Sequence, residues 1–436
     1  MVFWFRLIML LVAFSSSTML FAEELNSTPV NGGGFKATLR RVDSGGNFTR
    51  LERLRRAMNR QLPHQRLAAS DDVQSKVLPV SGEFLIQLGI GSPPVFSNYL
   101  MDSGSDLIWS TQCSAAGIQG ATIPCDHPIC GTPRPPFLPC NVRGPSCWFD
   151  AGYKDGSKSA QGTMVNAKIT FSDGSSFDKV LLGCGQLYQS YANNTVSPID
   201  PPSGSSGIVG IGRRQLSLVS QLNMKQFWYC LTDIESLAAS TLVLGSPAGV
   251  VAAAESYSAA VTTTPLLPHE ILYCISLKGI SVGGVPLPVE EAEFEAHPVG
   301  VPGMAIDSGA TFTCLYPTVF GALRDELIRQ VGDHLPVASD PAGKTVMELC
   351  FVLPSGGANI NDIFPQLTLH LDGGDLVLPQ QNYIETVAGL ACLAMVSTDI
   401  ASPSIFGSTQ QQNMMVKFDL VQSTVSFQST QCDQIP

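Results

Sequence analysis

Two stretches of this chain say nearly the same thing. "FLIQLGIGSPP" (84–94) leads into "SNYLMDSGS" (97–105), and "CISLKGISVGGVP" (274–286) leads into "PGMAIDSGA" (302–310). Each copy reads as a strand, Gly-Ile, a turn, and then an apolar strand ending in Asp-Ser-Gly. Each half later carries an apolar pair that closes on Gly, "SGIVGIG" (206–212) and "SIFGSTQQQ" (404–412). A chain duplicated in this way is expected to fold as two similar halves about a pseudo-twofold axis. One D-S-G alone is a common turn. Two of them, each ending a strand in a repeated half, put Asp102 and Asp307 face to face at the axis. Gly104 and Gly309 permit the close backbone approach this needs.

Two carboxylates about 3 Å apart cannot both ionise freely and share one proton. The ionised one takes a proton from a water held between them, and the protonated one donates to a peptide carbonyl. Such a pair suits acid-favoured peptide hydrolysis and needs no metal, cofactor or covalent intermediate.

The rest of the chain fits two β lobes. At 436 residues it exceeds one core, so two domains are expected. Forty Gly and thirty Pro, with abundant Val, Ile, Thr and Ser, favour turns and strands over long helices. Residues 1–22 read as a signal peptide: Arg6, an apolar run from Leu7 to Phe14, and Ala22 before Glu23-Glu24. No later stretch has about 18 uninterrupted apolar residues, and "STQCDQIP" offers no tail for a lipid anchor, so no stable membrane anchor is expected. The secretory pathway is implied, ending either outside the cell or in a vacuole. Asn26, Asn47 and Asn193 begin glycosylation sequons.

The net charge of −11 is unevenly spread: +1 over residues 1–22, +4 over 23–80 and −16 over 81–436. The basic part contains "RLERLRRAMNRQ" (50–61), with Leu51, Leu54, Ala57 and Met58 at helical spacing. It reads either as a solvated linker helix or as a pro-segment held on the acidic body by opposite charge, weakening as carboxylates protonate. Nucleic acid is not an expected partner, because the body would repel phosphate. The expected organisation is a signal peptide over 1–22, a pro-segment over 23–78, an N-terminal lobe over 79–245 and a C-terminal lobe over 246–436. Removal of the pro-segment is expected between about Leu67 and Ser81. All twelve cysteines follow residue 112, and an even number in a secreted chain reads as a disulfide framework. Zinc is the rival, but Cys125-x4-Cys130 and Cys140-x6-Cys147 are loosely spaced and no paired His lies near.

At these residues the chain resembles the pepsin-like aspartic peptidases, and within them the nepenthesin-type branch of plants. "MDSGSDLIWSTQC", "YKDGSKSAQG", "GIVGIGRRQLSLVSQL", "FWYCL", "AIDSGATFT" and "IFGSTQQQNMMVKFDL" echo that branch in order, from about Gly82 to Cys432. The resemblance implies an all-β-dominated, bilobal pepsin-like aspartic protease fold with a cleft between the lobes. It implies Asp102 and Asp307 as the catalytic pair and Tyr153 as the tyrosine of a closing hairpin flap. It implies Trp109 as that tyrosine's support; the bland reading of Trp109 is a core aromatic. It further implies polypeptide substrates, a monomer, inhibition by the chain's own pro-segment, and pairs Cys350–Cys392 and Cys230–Cys432. The six N-terminal-half cysteines allow fifteen pairings, among which sequence does not choose.

Departures from the branch carry their own expectations. Ser103 and Ser308 both supply a hydroxyl to brace the two loops. Ser105 can donate to Asp102, but its counterpart is Ala310, where the branch usually has Thr. Asp307 therefore lacks one donor to its ionised form, which should raise its pKa. Cys274 and Cys314 stand where the branch tends to have aromatics, and an extra bridge between them is expected.

Two rival functions remain. "GISVG" (279–283) matches the G-x-S-x-G elbow of serine hydrolases, but "GVPLPV" follows where a helix is required. Other members of this fold are non-catalytic inhibitors or binding proteins, which typically lose an active-site aspartate or the flap; this chain keeps Asp102, Asp307 and Tyr153.

Overall fold

The computed structural model describes residues 35–41, 48–50, 52–53, 84–114, 117–118, 122–130, 144–152, 158–190, 195–198, 205–233, 236, 238–245, 260–295, 300–338, 347–355, 359–398 and 402–435. The signal segment, Tyr153, Asn26, Asn47, Asn193 and the expected maturation site lie outside them, as does most of the basic helix. Of that helix, Arg50, Glu52 and Arg53 are helical.

Strands dominate, and the duplication is visible in their pairing. The strand Phe84–Ile90 buries every residue but Gln87 and pairs antiparallel with Val95–Asp102. Val95–Asp102 then runs parallel to Gly207–Gly210, which pairs antiparallel with Ile108–Ser110. The second half repeats this arrangement. Met304–Ile306 is parallel to Ser404–Phe406, which meets Thr313–Leu315 antiparallel at Cys314 and Ile405. The two apolar-Gly elements of the sequence are thus the strands that flank each Asp-Ser-Gly loop. Their glycines are sterically required. A Cβ on Gly210 would lie 2.3 Å from the backbone of Asp106, and one on Gly407 would lie 2.3 Å from that of Phe312.

Among the described residues, nineteen strands form one linked network through both halves. Its floor joins them: Gln226–Cys230 pairs with Met414–Asp419, which pairs in turn with Thr424–Ser429. Phe227 stacks on Phe418 at 4.5 Å, and Tyr273 closes on Phe418 at 4.6 Å, giving the floor an aromatic core. The helix Pro317–Val331 starts on a proline, as N-terminal turns favour. It buries Val319, Phe320, Leu323, Leu327 and Val331 along one face. Among the described residues no helix is long and apolar enough to cross a membrane.

The basic N-terminal segment is built into this network. Phe35–Arg41 pairs with Ser240–Leu244 on one side and with Phe84–Ile86 on the other. Ala37 and Leu39 enter the core. Arg41 is 5% exposed and donates to the carbonyls of Asp233 and Ser236; burial pulls its guanidinium down to about 10. Further on, Arg50 donates through Nε and Nη2 to Glu385 Oε2, at 3.0 and 2.6 Å, and Glu385 is itself buried.

Disulfides join Cys113 to Cys184, Cys130 to Cys147, Cys230 to Cys432 and Cys350 to Cys392, and Cys125 is also disulfide-bonded. The expected Cys274–Cys314 bridge is corrected: both are buried thiols. The register gives the reason. Cys274 lies opposite Ala305, Ala305 opposite Ile405, and Ile405 opposite Cys314. Two strands separate the cysteines, so their backbones are roughly 14 Å apart at the usual strand spacing. A disulfide needs Cα atoms within about 7 Å.

Candidate active site

Each aspartate ends or follows one of the parallel strands. The Ile211 N–H donates to the Asp102 carbonyl at 2.8 Å, and the Asp307 N–H donates to the Phe406 carbonyl at 3.1 Å. The flanking strand of each half therefore fixes the backbone that carries the acid. The two loops then brace each other across the axis. Ser308 N–H donates to Ser103 Oγ at 2.9 Å, and Ser103 N–H to Ser308 Oγ at 3.1 Å. Each hydroxyl passes its own proton to the opposite lobe: Ser103 Oγ to the Ile306 carbonyl and Ser308 Oγ to the Met101 carbonyl, both at 3.2 Å. Both serines are fully buried. Of each side chain the cross-brace uses only the hydroxyl, which serine and threonine both carry.

The carboxylates meet above this brace. A Cβ on Gly104 would lie 2.5 Å from Asp307 Oδ2, and one on Gly309 would lie 2.6 Å from Asp102 Oδ1. Each glycine leaves the space that the other lobe's acid fills. Gly104 N–H donates to Asp102 Oδ1 and Gly309 N–H to Asp307 Oδ1, both at 2.8 Å. Ser105 Oγ donates to Asp102 Oδ2. Ala310 is buried and brings only its backbone N–H to Asp307. Asp307 is partly exposed but densely walled by protein. That burial, then the neighbouring Asp102 charge, drives its carboxyl well above the ordinary range.

Trp109 is buried among Leu85, Leu100, Leu107, Phe149 and Met164, beneath the first loop. The strands Trp148–Gly152 and Lys158–Phe171 form an antiparallel hairpin that pairs Gly152 with Ser159. Tyr153 lies outside the described residues.

Three further residues belong to the site. Asp106 accepts the Arg214 N–H at 2.7 Å, and burial pushes its carboxyl up to about 6. Tyr229 is fully buried below the loops and donates to Gln411 Oε1 at 2.5 Å. Gln411 Nε2 donates to the Phe406 carbonyl at 2.7 Å, the same carbonyl that receives the Asp307 N–H. "FWYCL" and "QQQ" are visible in sequence, but their connection runs across 182 residues. A run of three buried glutamines, at most 4% exposed, is its only local signal.

Comparison with known proteins gives the family and the fold. Residues 84–246 match the family described as Xylanase inhibitor N-terminal, and residues 272–429 match Xylanase inhibitor C-terminal. The chain is 37% identical to aspartic proteinase nepenthesin-1 of Nepenthes gracilis, over 92% of this chain and 90% of that one. It is 34% identical to nepenthesin-2 of the same plant, with the same coverage. Among solved structures, basic 7S globulin from soybean superposes with a TM-score of 0.58 at 16% identity, covering 81% of this chain and 96% of that one. The crystal structure of edgp gives 0.60 at 15%, covering 94% and 99%. Two β lobes meeting at paired Asp-Ser-Gly loops are the architecture of the pepsin-like aspartic proteases. The chain belongs to the plant members of that family, of the nepenthesin type.

Proposed function

We propose that the protein is a secreted endopeptidase that hydrolyses peptide bonds with a water activated by Asp102 and Asp307, and that works best in acid. The observation that carries this reading is the reciprocal fit of Gly104 to Asp307 and Gly309 to Asp102, which brings the two acids into one proton-sharing site. Burial and the Asp102 charge favour the shared proton on Asp307. Gly104 N–H and Ser105 Oγ each donate a hydrogen bond to the Asp102 carboxylate. Asp102 then takes a proton from the water as it attacks the peptide carbonyl carbon, and Asp307 donates to the carbonyl oxygen. The resulting gem-diol collapses as the amide nitrogen is protonated and leaves. Acid-pH cleavage of a denatured protein, blocked by pepstatin, is the expected result. No cleavage between pH 3 and 6 by chain that has been cut downstream of Arg41 and is still folded by circular dichroism would instead favour the second reading, a non-catalytic inhibitor or binding protein. That reading draws on the xylanase-inhibitor description of the matched family.

The missing hydroxyl at position 310 supplies a sharper test. Ala310→Thr adds a donor to the Asp307 carboxylate and should lower its pKa. The basic limb of the kcat/KM profile is then expected to move to lower pH by about one unit, with Ala310→Ser moving it the same way. Superimposable profiles would sink the idea.

The same reading makes the segment over 23–78 an intramolecular inhibitor. Arg50 is bound to the buried Glu385 by two hydrogen bonds, and such a contact opens when the carboxylate is protonated. Glu385→Gln is expected to release the segment at higher pH than the parent chain. Release followed by limited proteolysis checks this, and an unchanged release pH counts against it.

A further inference from the structure

The small sheet of the C-terminal half holds a second constellation that the aspartates do not use. Ser281 Oγ lies 2.7 Å from His370 Nε2, and His370 Nδ1 lies 2.7 Å from Asp375 Oδ1. These are the atoms, in the order, of a nucleophile, its base and the acid that orients the base. Such a set is recognised by geometry and roles rather than by sequence position. The carboxylate only accepts, so in the neutral imidazole Nδ1 carries the proton and Nε2 is left to accept from the serine hydroxyl.

Antiparallel register assembles the three. Leu277–Val282 pairs with Leu367–Leu371, which pairs with Gly374–Leu378, in a four-stranded sheet apart from the network that carries the aspartates. Ile280, Val282, Leu367, Leu369, Leu376 and Leu378 turn one face to the core. Alternation puts Ser281, His370 and Asp375 on the other face. Across that face one row reads Pro286, Ser281, Thr368, Val377, and the next reads Gly279, His370, Asp375. Because Gly279 has no side chain, the imidazole opposite it spans the diagonal to Ser281. A Cβ built at Gly279 would meet a single atom within 4 Å, His370 Cδ2 at 3.5 Å. The glycine therefore leaves an open niche beside both the imidazole and the serine. The His370 side chain is 36% exposed and that of Asp375 60%. Ser281 itself is 6% exposed, so only a small group reaches its hydroxyl. Pro286 and the 40%-exposed Val377 make the flanks of the row apolar.

We propose that Ser281 is a second nucleophile of this protein, activated by His370 and Asp375, which accepts a short apolar acyl group from an activated ester. Its hydroxyl oxygen bonds to the ester carbonyl carbon as His370 Nε2 takes the hydroxyl proton. The leaving alcohol departs with that proton, and water returns the free acid and the serine. The helix of the usual serine-hydrolase elbow is absent here, and the adjacent antiparallel strands supply the base and its partner instead.

A short-chain alkyl fluorophosphonate tests this on the full chain carrying Asp102→Asn, which silences the aspartate site. In the same step the serine oxygen displaces fluoride at phosphorus. Peptide mass mapping is expected to find the phosphonyl adduct on Ser281 and the label to vanish in Ser281→Ala. His370→Gln is expected to slow labelling about 10²-fold, the scale of general-base assistance. Gly279→Val, a strand-compatible change that fills the niche, is expected to block labelling while leaving peptide hydrolysis in the Asp102 parent unchanged. No adduct on Ser281, or an adduct formed equally fast without His370, overturns the proposal.

Discussion

Asp102→Asn is expected to lower kcat/KM on a denatured protein substrate by about 10⁴-fold or more, the scale seen when one member of a catalytic unit is lost. Asp307→Asn should do the same, and the double variant should lose little further, since either acid without the other performs neither half of the proton exchange. Stability should move the opposite way. Burial and Asp102 raise the Asp307 carboxyl above its unfolded value, so the folded state binds this proton more tightly than the unfolded chain does. Its contribution to stability is complete below the unfolded value near 4 and is lost as pH rises through the raised one. Asp106, pushed up to about 6, acts in the same sense. The parent protein should therefore have a higher Tm at pH 4 than at pH 7. Asp307→Asn should raise Tm at pH 7 and reduce that difference. An inactive variant whose Tm at pH 7 falls would place the loss in the fold rather than in the proton-sharing pair.

The second large effect belongs to Cys230–Cys432. This bridge ties the floor strand Gln226–Cys230 to the C-terminal turn Cys432–Gln434 across 202 residues. Both sulfurs lie in a cluster with Trp228, Val243, Met415 and Ile435. By loop-closure entropy, a bridge over so long a loop stabilises by about 5 kcal/mol. Cys113–Cys184 spans 71 residues and should contribute about 1 kcal/mol less. Replacing Cys230 and Cys432 by Ala is thus expected to lower the denaturation midpoint more than replacing Cys113 and Cys184. The floor strands join the two halves, so activity should fall over the same denaturant range as structure. Activity that survives past the structural transition would mean that this bridge does not hold the lobes in register.

The aspartate pair was legible because each copy is local: an apolar strand, a turn and two short side chains. Repetition then supplied the long-range contact that no single copy implies. What escaped the sequence depends on strand order. Cys274 and Cys314 come before and after the second Asp-Ser-Gly loop in the chain, but Met304–Ile306 and Ser404–Phe406 lie between them in the sheet. The link from Tyr229 through Gln411 to the Phe406 carbonyl joins segments that no periodicity connects. "GISVG" lacks the following helix that the serine-hydrolase elbow requires. The histidine and aspartate that face Ser281 come from the register of two other strands, which the motif does not encode.

The strand Phe35–Arg41 has neighbours on both sides, so it is an interior member of the sheet. Suppose the chain is cut downstream of it. The strand then ceases to be a segment and becomes a ligand, held by main-chain hydrogen bonds, by Ala37 and Leu39 in the core and by the buried Arg41. Its retention would obey mass action, strengthened by any free strand in solution and weakened by dilution. Its departure would leave Ser240–Leu244 and Phe84–Ile86 with unpaired backbone facing a strand-wide slot, an edge of the kind that recruits another chain. Whether the cut strand stayed in place would then be set by a dissociation constant.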